Sequence, residues 1–305
     1  MIVIPPIPIT ESSGRLISTN IVEPDATQGE VLWVAGTAYT PGAKVIRPNH
    51  RKYEAIVAST GVIPESDPEK WLYIGPTNKW AMFEANRNEQ STRTGTIEVV
   101  LKPGARIDSI GILGVEAVSI TVTQRVNGVI VYGPHVINMN SRNTASWKDY
   151  FFGEFNFIPS ALIQDLRPYV GSEITIVIDN ETRPAKCSGI VMGTKVFLGK
   201  VQYNPQSDVL NFSKIEKDDY GVSKLTPRRS VPKTNQTLWT DKELVNKVRK
   251  VRTDLNAVPA LWSGLDDKGQ DGYFESLLIY GIYKQFTIDL AHNEVAMVTL
   301  ELEEL

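Results

Sequence analysis

Val118-Ser119-Ile120-Thr121-Val122-Thr123-Gln124-Arg125-Val126-Asn127-Gly128-Val129-Ile130-Val131-Tyr132 is the stretch that decides the fold class. Ile120 and Val122 alternate with Ser119, Thr121 and Thr123, and the run is rich in β-branched side chains. A period of two turns one set of side chains toward a core and the other toward water, which is the pattern of a half-buried strand. Asn127-Gly128 supplies the two residues that accept the positive φ of a type I′ turn, so the segments on either side predict a β-hairpin. The same texture recurs in Ile97-Glu98-Val99-Val100-Leu101 and Glu173-Ile174-Thr175-Ile176-Val177-Ile178, with Lys102-Pro103-Gly104 as a further turn. The expected fold is mainly β, with a β-sandwich in this region. Its sheet is expected to continue through residues 189–201 and to return as residues 284–290 and 296–302.

One segment departs from the pattern. Leu244, Val248, Val251 and Leu255 recur at helical spacing, Thr240 with Glu243 reads as a capping box, and Pro259 follows. This predicts an amphipathic helix over 241–255. Its other face carries Lys242, Lys247, Arg249, Lys250 and Arg252, interrupted by Asp241, Glu243 and Asp254 and without interleaved aromatics. That composition favours a solvated face over a nucleic-acid patch. A second, short helix is expected from 159 to 165. Residues 224–235, with Pro227-Arg228-Arg229 and Pro232-Lys233, read as a long loop, either a clamp between subunits or a mobile connector.

The 305 residues are 42% hydrophobic and 22% charged, and 32 basic against 35 acidic side chains leave a net charge of −3. Such a chain suits about two domains, is no disordered polyelectrolyte and offers no general field to attract nucleic acid. The lone Cys187 forms no intrachain disulfide and reads as a small buried hydrophobe rather than a nucleophile. The apolar start contains Pro5, Pro6 and Pro8 and lacks a basic region, which predicts an extended arm over residues 1–20 and no signal peptide. No stretch approaches the length of a spanning helix, so no membrane insertion is expected.

Residues 21–76 are dense in short apolar runs, with Trp33, Tyr39, Tyr53, Trp71 and Tyr73 among them and turns at Thr40-Pro41-Gly42 and Ile63-Pro64-Glu65. About 55 residues make a thin core, to which the aromatics must contribute much. Residues 77–305 form the larger β-rich region, with a further division expected between about 77–200 and 201–305. Reactive groups are scattered. His50, His135 and His292 share no metal-ligand spacing, and no phosphate loop or nucleophile elbow occurs. Asp218-Asp219, Asp266-Asp267 and the acidic residues of 301–304 are adjacent pairs, which point to opposite faces of a strand or sit in solvated turns. Asp266, Asp267 and Asp271 with Gly269 and Gly272 loosely follow a calcium loop but lack the glutamate at its twelfth position. No catalytic residue, metal or cofactor is therefore expected. What remains is aromatic recognition, in which an exposed Trp or Tyr face covers the C–H surface of a sugar ring. The same rings can instead be module core, and for each residue both readings stand.

Trp33-Val34-Ala35-Gly36-Thr37-Ala38-Tyr39-Thr40-Pro41-Gly42-Ala43-Lys44-Val45, continued by Tyr53-Glu54-Ala55, Gly61, Pro64 and Trp71, resembles the chitin- and cellulose-binding modules of carbohydrate-binding families 5 and 12. The likeness covers about 40 residues and departs where those modules carry a pair of surface tryptophans, here Val57 and Ala58. It implies that Trp33, Tyr39, Tyr53 and Trp71 are glycan-binding or framework residues, with His50 and Arg51 as polar neighbours. The run Trp71-Leu72-Tyr73-Ile74-Gly75-Pro76-Thr77-Asn78-Lys79-Trp80-Ala81-Met82-Phe83-Glu84 is similar to tail-associated structural proteins of tailed bacteriophages. So are Trp147-Lys148-Asp149-Tyr150-Phe151-Phe152 and Leu277-Leu278-Ile279-Tyr280-Gly281-Ile282-Tyr283-Lys284-Gln285-Phe286. That resemblance implies a non-enzymatic virion component of the baseplate, tail tip or collar, made in the host cytoplasm. Its partners would be copies of itself, other tail proteins and a host-surface glycan. A polysaccharide hydrolase carrying the module, and a fibre adaptor that binds no glycan, are the competing expectations.

Overall fold

The computed structural model describes residues 1–142, 146–152, 155–202, 205–217, 220–264, 275–290 and 294–305. The protein is mainly β and folds as two compact units, Ile7–Val191 on the one hand and Met1–Pro6 with Met192–Leu305 on the other. The small aromatic module lies within the first of these.

In the unit Ile7–Val191, five antiparallel strands run in the order Val129–Asn138, Ser119–Val126, Ser172–Cys187, Ser91–Leu101 and Leu16–Thr19. The hairpin is as expected: Val126 pairs with Val129 across Asn127 and Gly128, at φ 50° and 82°. Along Ser172–Cys187 burial alternates, and Ile174, Ile176 and Ile178 are wholly inaccessible with Ile97, Val99, Leu101, Ile120 and Val122. A three-stranded sheet of Ser160–Ile163, Ser109–Leu113 and Gly189–Gly193 supplies buried Ile110, Ile112, Leu113 and Ala161, giving a sandwich-like arrangement. Each such Ile, Val or Leu contributes about 1.5–3 kcal/mol by leaving water. Cys187 is fully buried here, and desolvation pushes its thiol up to about 12. A thiol with so little thiolate is expected to resist iodoacetamide at pH 8 in the native protein and to react once urea unfolds it. Rapid labelling of folded chain contradicts that burial.

The module is a three-stranded sheet of Lys44–Ile46, Arg51–Ala55 and Trp71–Pro76, with a short pair Ala38–Tyr39 and Ser59–Thr60 beside it.

The other unit holds an eight-stranded sheet. Its path runs Val196–Phe197, Ile2–Ile4, Ala260–Ser263, Leu278–Asp289, Val295–Glu304, Ser230–Asp241 and Lys200–Val201, and Gln206–Asn211 also pairs with Ser230–Asp241. Buried Trp262, Leu238, Val298, Leu300 and Leu302 form its core with Val248, Val251 and Leu255 of the helical segment.

Five expectations are corrected. The first residues of the arm are an inner strand, because Ile2, Val3 and Ile4 pair with Ser263, Trp262 and Leu261 and bury their side chains. Residues 284–290 and 296–302 belong to this second sheet and do not close the sandwich. The segment 159–165 holds a strand, Ser160–Ile163: a short apolar run has no periodicity to separate helix from sheet, and pairing with Ser109–Leu113 decides it. Residues 224–235 are no loop, since they lie within Ser223–Thr226 and Ser230–Asp241 with only residues 227–229 between. The helix itself is as expected, with Lys242–Leu244 as a 3₁₀ first turn before the α-helix Val245–Asp254, but its cap is not. Thr240 is not its cap; it lies within the strand Ser230–Asp241 and its hydroxyl donates to the Leu198 carbonyl at 2.6 Å.

Candidate functional site

Tyr39, Tyr53 and Trp71, with Val45 and Ala55, are the module's core. Tyr39 meets Trp71 edge-on with centroids 5.3 Å apart, and Trp71 is 2% exposed. The two hydroxyls are engaged locally, that of Tyr39 accepting the Val34 N–H at 2.7 Å and that of Tyr53 accepting from Asn49 Nδ2 at 3.0 Å. These three rings act as framework and offer no open face to a ligand. Trp33 packs half-buried against that core under the Arg47 guanidinium, 4.7 Å from its ring centre, and Arg47 in turn pairs with Glu65 at 3.0 Å.

His50 is held away from the Arg51 surface. Its Nδ1 lies 2.8 Å from Glu23, its Nε2 3.2 Å from Glu11, and its ring stacks on Trp80 at 4.7 Å. The Glu11 contact is an ion-pair distance without hydrogen-bond alignment. Glu23 also accepts from the Thr77 hydroxyl at 2.6 Å, so His50 belongs to a joint between the segment around Glu23 and the Thr77–Trp80 turn.

Beside it lies a buried polar network. Glu30 accepts the backbone N–H groups of Asp25 at 2.8 Å and Asn78 at 2.6 Å. Asn78 Nδ2 donates to Asp25 at 2.7 Å and to the Thr92 carbonyl at 2.8 Å, and Asn78 Oδ1 accepts the Thr92 N–H at 2.7 Å. Asp25, Glu30 and Asn78 are all buried, so the donors they share replace lost water. Nothing in the residue types announced this knot, because its members come from three separate stretches of chain.

Arg51 and Tyr73 form one exposed part of the module. The guanidinium stands 5.2 Å from the Tyr73 ring centre, and Tyr73 is 46% exposed beside an exposed Leu72. Tyr73 pairs directly with Tyr53, their ring centres 6.0 Å apart, and the register slips at Ile74, before Gly75 at φ 143°. A Cβ on Gly75 would sit 2.1 Å from Glu89 Oε1, so glycine alone lets that carboxylate approach the strand. Burial, then the charge of Glu84, raise the Tyr73 hydroxyl above its ordinary value of 10.0, and it remains a neutral donor and acceptor at neutral pH. Tyr73 was visible in the sequence among the module's aromatics, but nothing there set its half-exposed ring apart from that of Tyr53, which is 5% exposed.

No protein-family model matches the chain, and no curated protein matches it either.

A polar cleft of ≈ 340 Å³ opens on the same module, lined by Gln28, Glu30, Lys44, Lys52, Glu54 and Glu89 among others. Glycoside hydrolysis would need one free acid and one free base across a sugar bond. Here Glu54 pairs with Lys44 at 3.8 Å, Glu89 with Lys52 at 2.6 Å, and Glu30 is occupied by backbone donors. Alternating carboxylates and ammoniums suit the hydroxyls of a bound sugar better than proton transfer.

Among the described residues no group of three or more His, Cys, Asp and Glu side chains is placed to hold a metal, and no helix is long and apolar enough to cross a membrane. Glu301, Glu303 and Glu304 pair with Lys233, Lys284 and Arg229. His135 tilts against Tyr132 at 5.9 Å. Asp218, Asp219, Asp266, Asp267, Asp271 and His292 lie outside the described residues.

Proposed function

We propose that the chain is a structural component of a phage tail, in the baseplate, tail tip or collar region. In this reading it assembles in several copies, is made in the host cytoplasm, and turns its carbohydrate-binding-like module toward a host-surface glycan or a fibre protein. The observation that carries the reading is a projecting hairpin. Lys214–Lys217 pairs with Ser223–Thr226, Ile215 lies opposite Leu225, and both are 67% exposed. Phe212, Val222 and Tyr220 beside them are 56%, 64% and 92% exposed. A two-stranded ribbon is marginal alone in water, and one that shows its apolar pair to solvent is built to be covered by another chain. Mass spectrometry of purified particles of the encoding phage, with immunogold labelling of the tail, tests the reading. Absence of the chain from particles refutes it.

The module's part rests on Arg51, Tyr73 and the neighbouring polar cleft. A single aromatic face gives weak contact, and repetition in one assembly raises it through effective concentration. Tyr73→Ala and Arg51→Ala are expected to abolish retention on a glycan array while shifting the unfolding midpoint little, since both side chains face water. Retention unchanged in both variants transfers the module to fibre attachment.

A further inference from the structure

The helix Trp147–Phe152, here α1, presents its aromatics to water: Trp147, Tyr150, Phe151 and Phe152 are 79%, 50%, 62% and 83% exposed. They form one block, for Trp147 stacks on Phe151 at 6.2 Å and 18°, and Tyr150 meets Phe151 edge-on at 5.1 Å. Each ring removes about 150–250 Å² from water when covered, so the block approaches half of one face of an ordinary protein interface. Trp and Tyr are also the residues that dominate binding energy where chains meet.

The Met192–Leu305 unit holds an apolar groove of ≈ 440 Å³. Its lining includes Pro5, Val196, Val251, Leu255 and Val258, with Lys247, Lys250 and Asp254 at the same opening. None of these three charged groups has an ion-pair partner among the described residues.

We propose that α1 of one copy seats in this groove of a second copy of the chain. The rings fill the apolar lining, Lys247 and Lys250 lie over their negative faces, and the exposed Lys148 of α1 meets Asp254. Donor and acceptor are different patches, so the contact is heterologous: copies add head to tail and either close into a ring or run on as a filament. The proposal rests on the reading of the chain as a multi-copy component and names the surface that joins the copies.

The test uses the full chain. Sedimentation at about 100 µM is expected to show species larger than the monomer, and Trp147→Asp with Phe152→Asp, or Val258→Asp alone, to weaken association at least ~10-fold with unchanged circular dichroism. Phe152→Cys chains mixed with Val258→Cys chains are expected to form a disulfide between copies, the buried Cys187 taking no part. A monomeric wild-type chain, association that survives both variants, or a disulfide confined to one doubly substituted chain overturns the proposal. Binding of monomer to phosphatidylcholine vesicles that the Trp147→Asp, Phe152→Asp variant abolishes also overturns it, by giving the aromatics to a lipid surface. Particles that carry this variant at full occupancy refute the contact but leave the tail assignment standing, whereas particles lacking the wild-type chain refute the assignment itself.

Discussion

Asn78→Ala is expected to lower the stability of the Ile7–Val191 unit by about 3–5 kcal/mol, more than almost any other single polar change in the chain. Three hydrogen bonds end in its carboxamide: one to the Asp25 carboxylate and two to the backbone of Thr92. Alanine fills none of these positions, so a buried carboxylate oxygen and two backbone groups of a strand lose partners together. An unsatisfied buried group costs about 1–3 kcal/mol, and a charged one more. Asp25 keeps the N–H and hydroxyl of Thr27 on its other oxygen, which bounds the loss. Urea unfolding followed by tryptophan fluorescence should show the transition of this unit moving down by ~1 M or more while that of the other unit stays. Asn78→Asp is expected to be worse, because it sets carboxylate against carboxylate. Combining it with Asp25→Asn reverses donor and acceptor and should recover about 1.5–3 kcal/mol. A cycle with no recovery means that the residues do not interact as described.

That network also marks where residue patterns stop informing. Period-two alternation located Ile97–Leu101, the 118–132 hairpin and Ile174–Ile178, since a strand buried on one face writes its geometry into every second residue. Ser160–Ile163 escaped because a run of four residues buried on both faces has no period. The pairing of Ile2–Ile4 with Ala260–Ser263 joins opposite ends of the sequence and leaves no local trace. At the candidate site, aromatic content drew attention to this module, yet Tyr53 and Tyr73, paired across two strands, differ in exposure, 5% against 46%, and residue type does not separate them. His50 and Arg51 are neighbours in sequence but part company in space. At φ 61° His50 turns into the Glu23 joint, while Arg51 stays on the surface over Tyr73.

Trp71 and Tyr73 stand two residues apart on one strand, and their substitution should separate framework from contact surface. Trp71→Ala removes the largest ring from a core whose other buried members are Tyr39, Val45, Tyr53 and Ala55. Large-to-small changes of this kind cost about 3–5 kcal/mol, and a core this small has few neighbours able to collapse into the gap. The module is therefore expected to lose its fold near room temperature, with broadened amide resonances for residues 38–60 and loss of any glycan retention as a secondary effect. Trp71→Phe should cost only about 1–2 kcal/mol, because it keeps an edge for Tyr39 to meet and removes an indole N–H that has no partner among the described residues. Tyr73→Ala deletes a half-exposed ring and should leave those resonances in place. If Trp71→Ala proves as stable as Tyr73→Ala, Trp71 is not the centre of the module. A folded Trp71→Phe chain that no longer binds glycan, beside a Tyr73→Ala chain that still does, would move the contact surface from the Arg51–Tyr73 pair to Trp71.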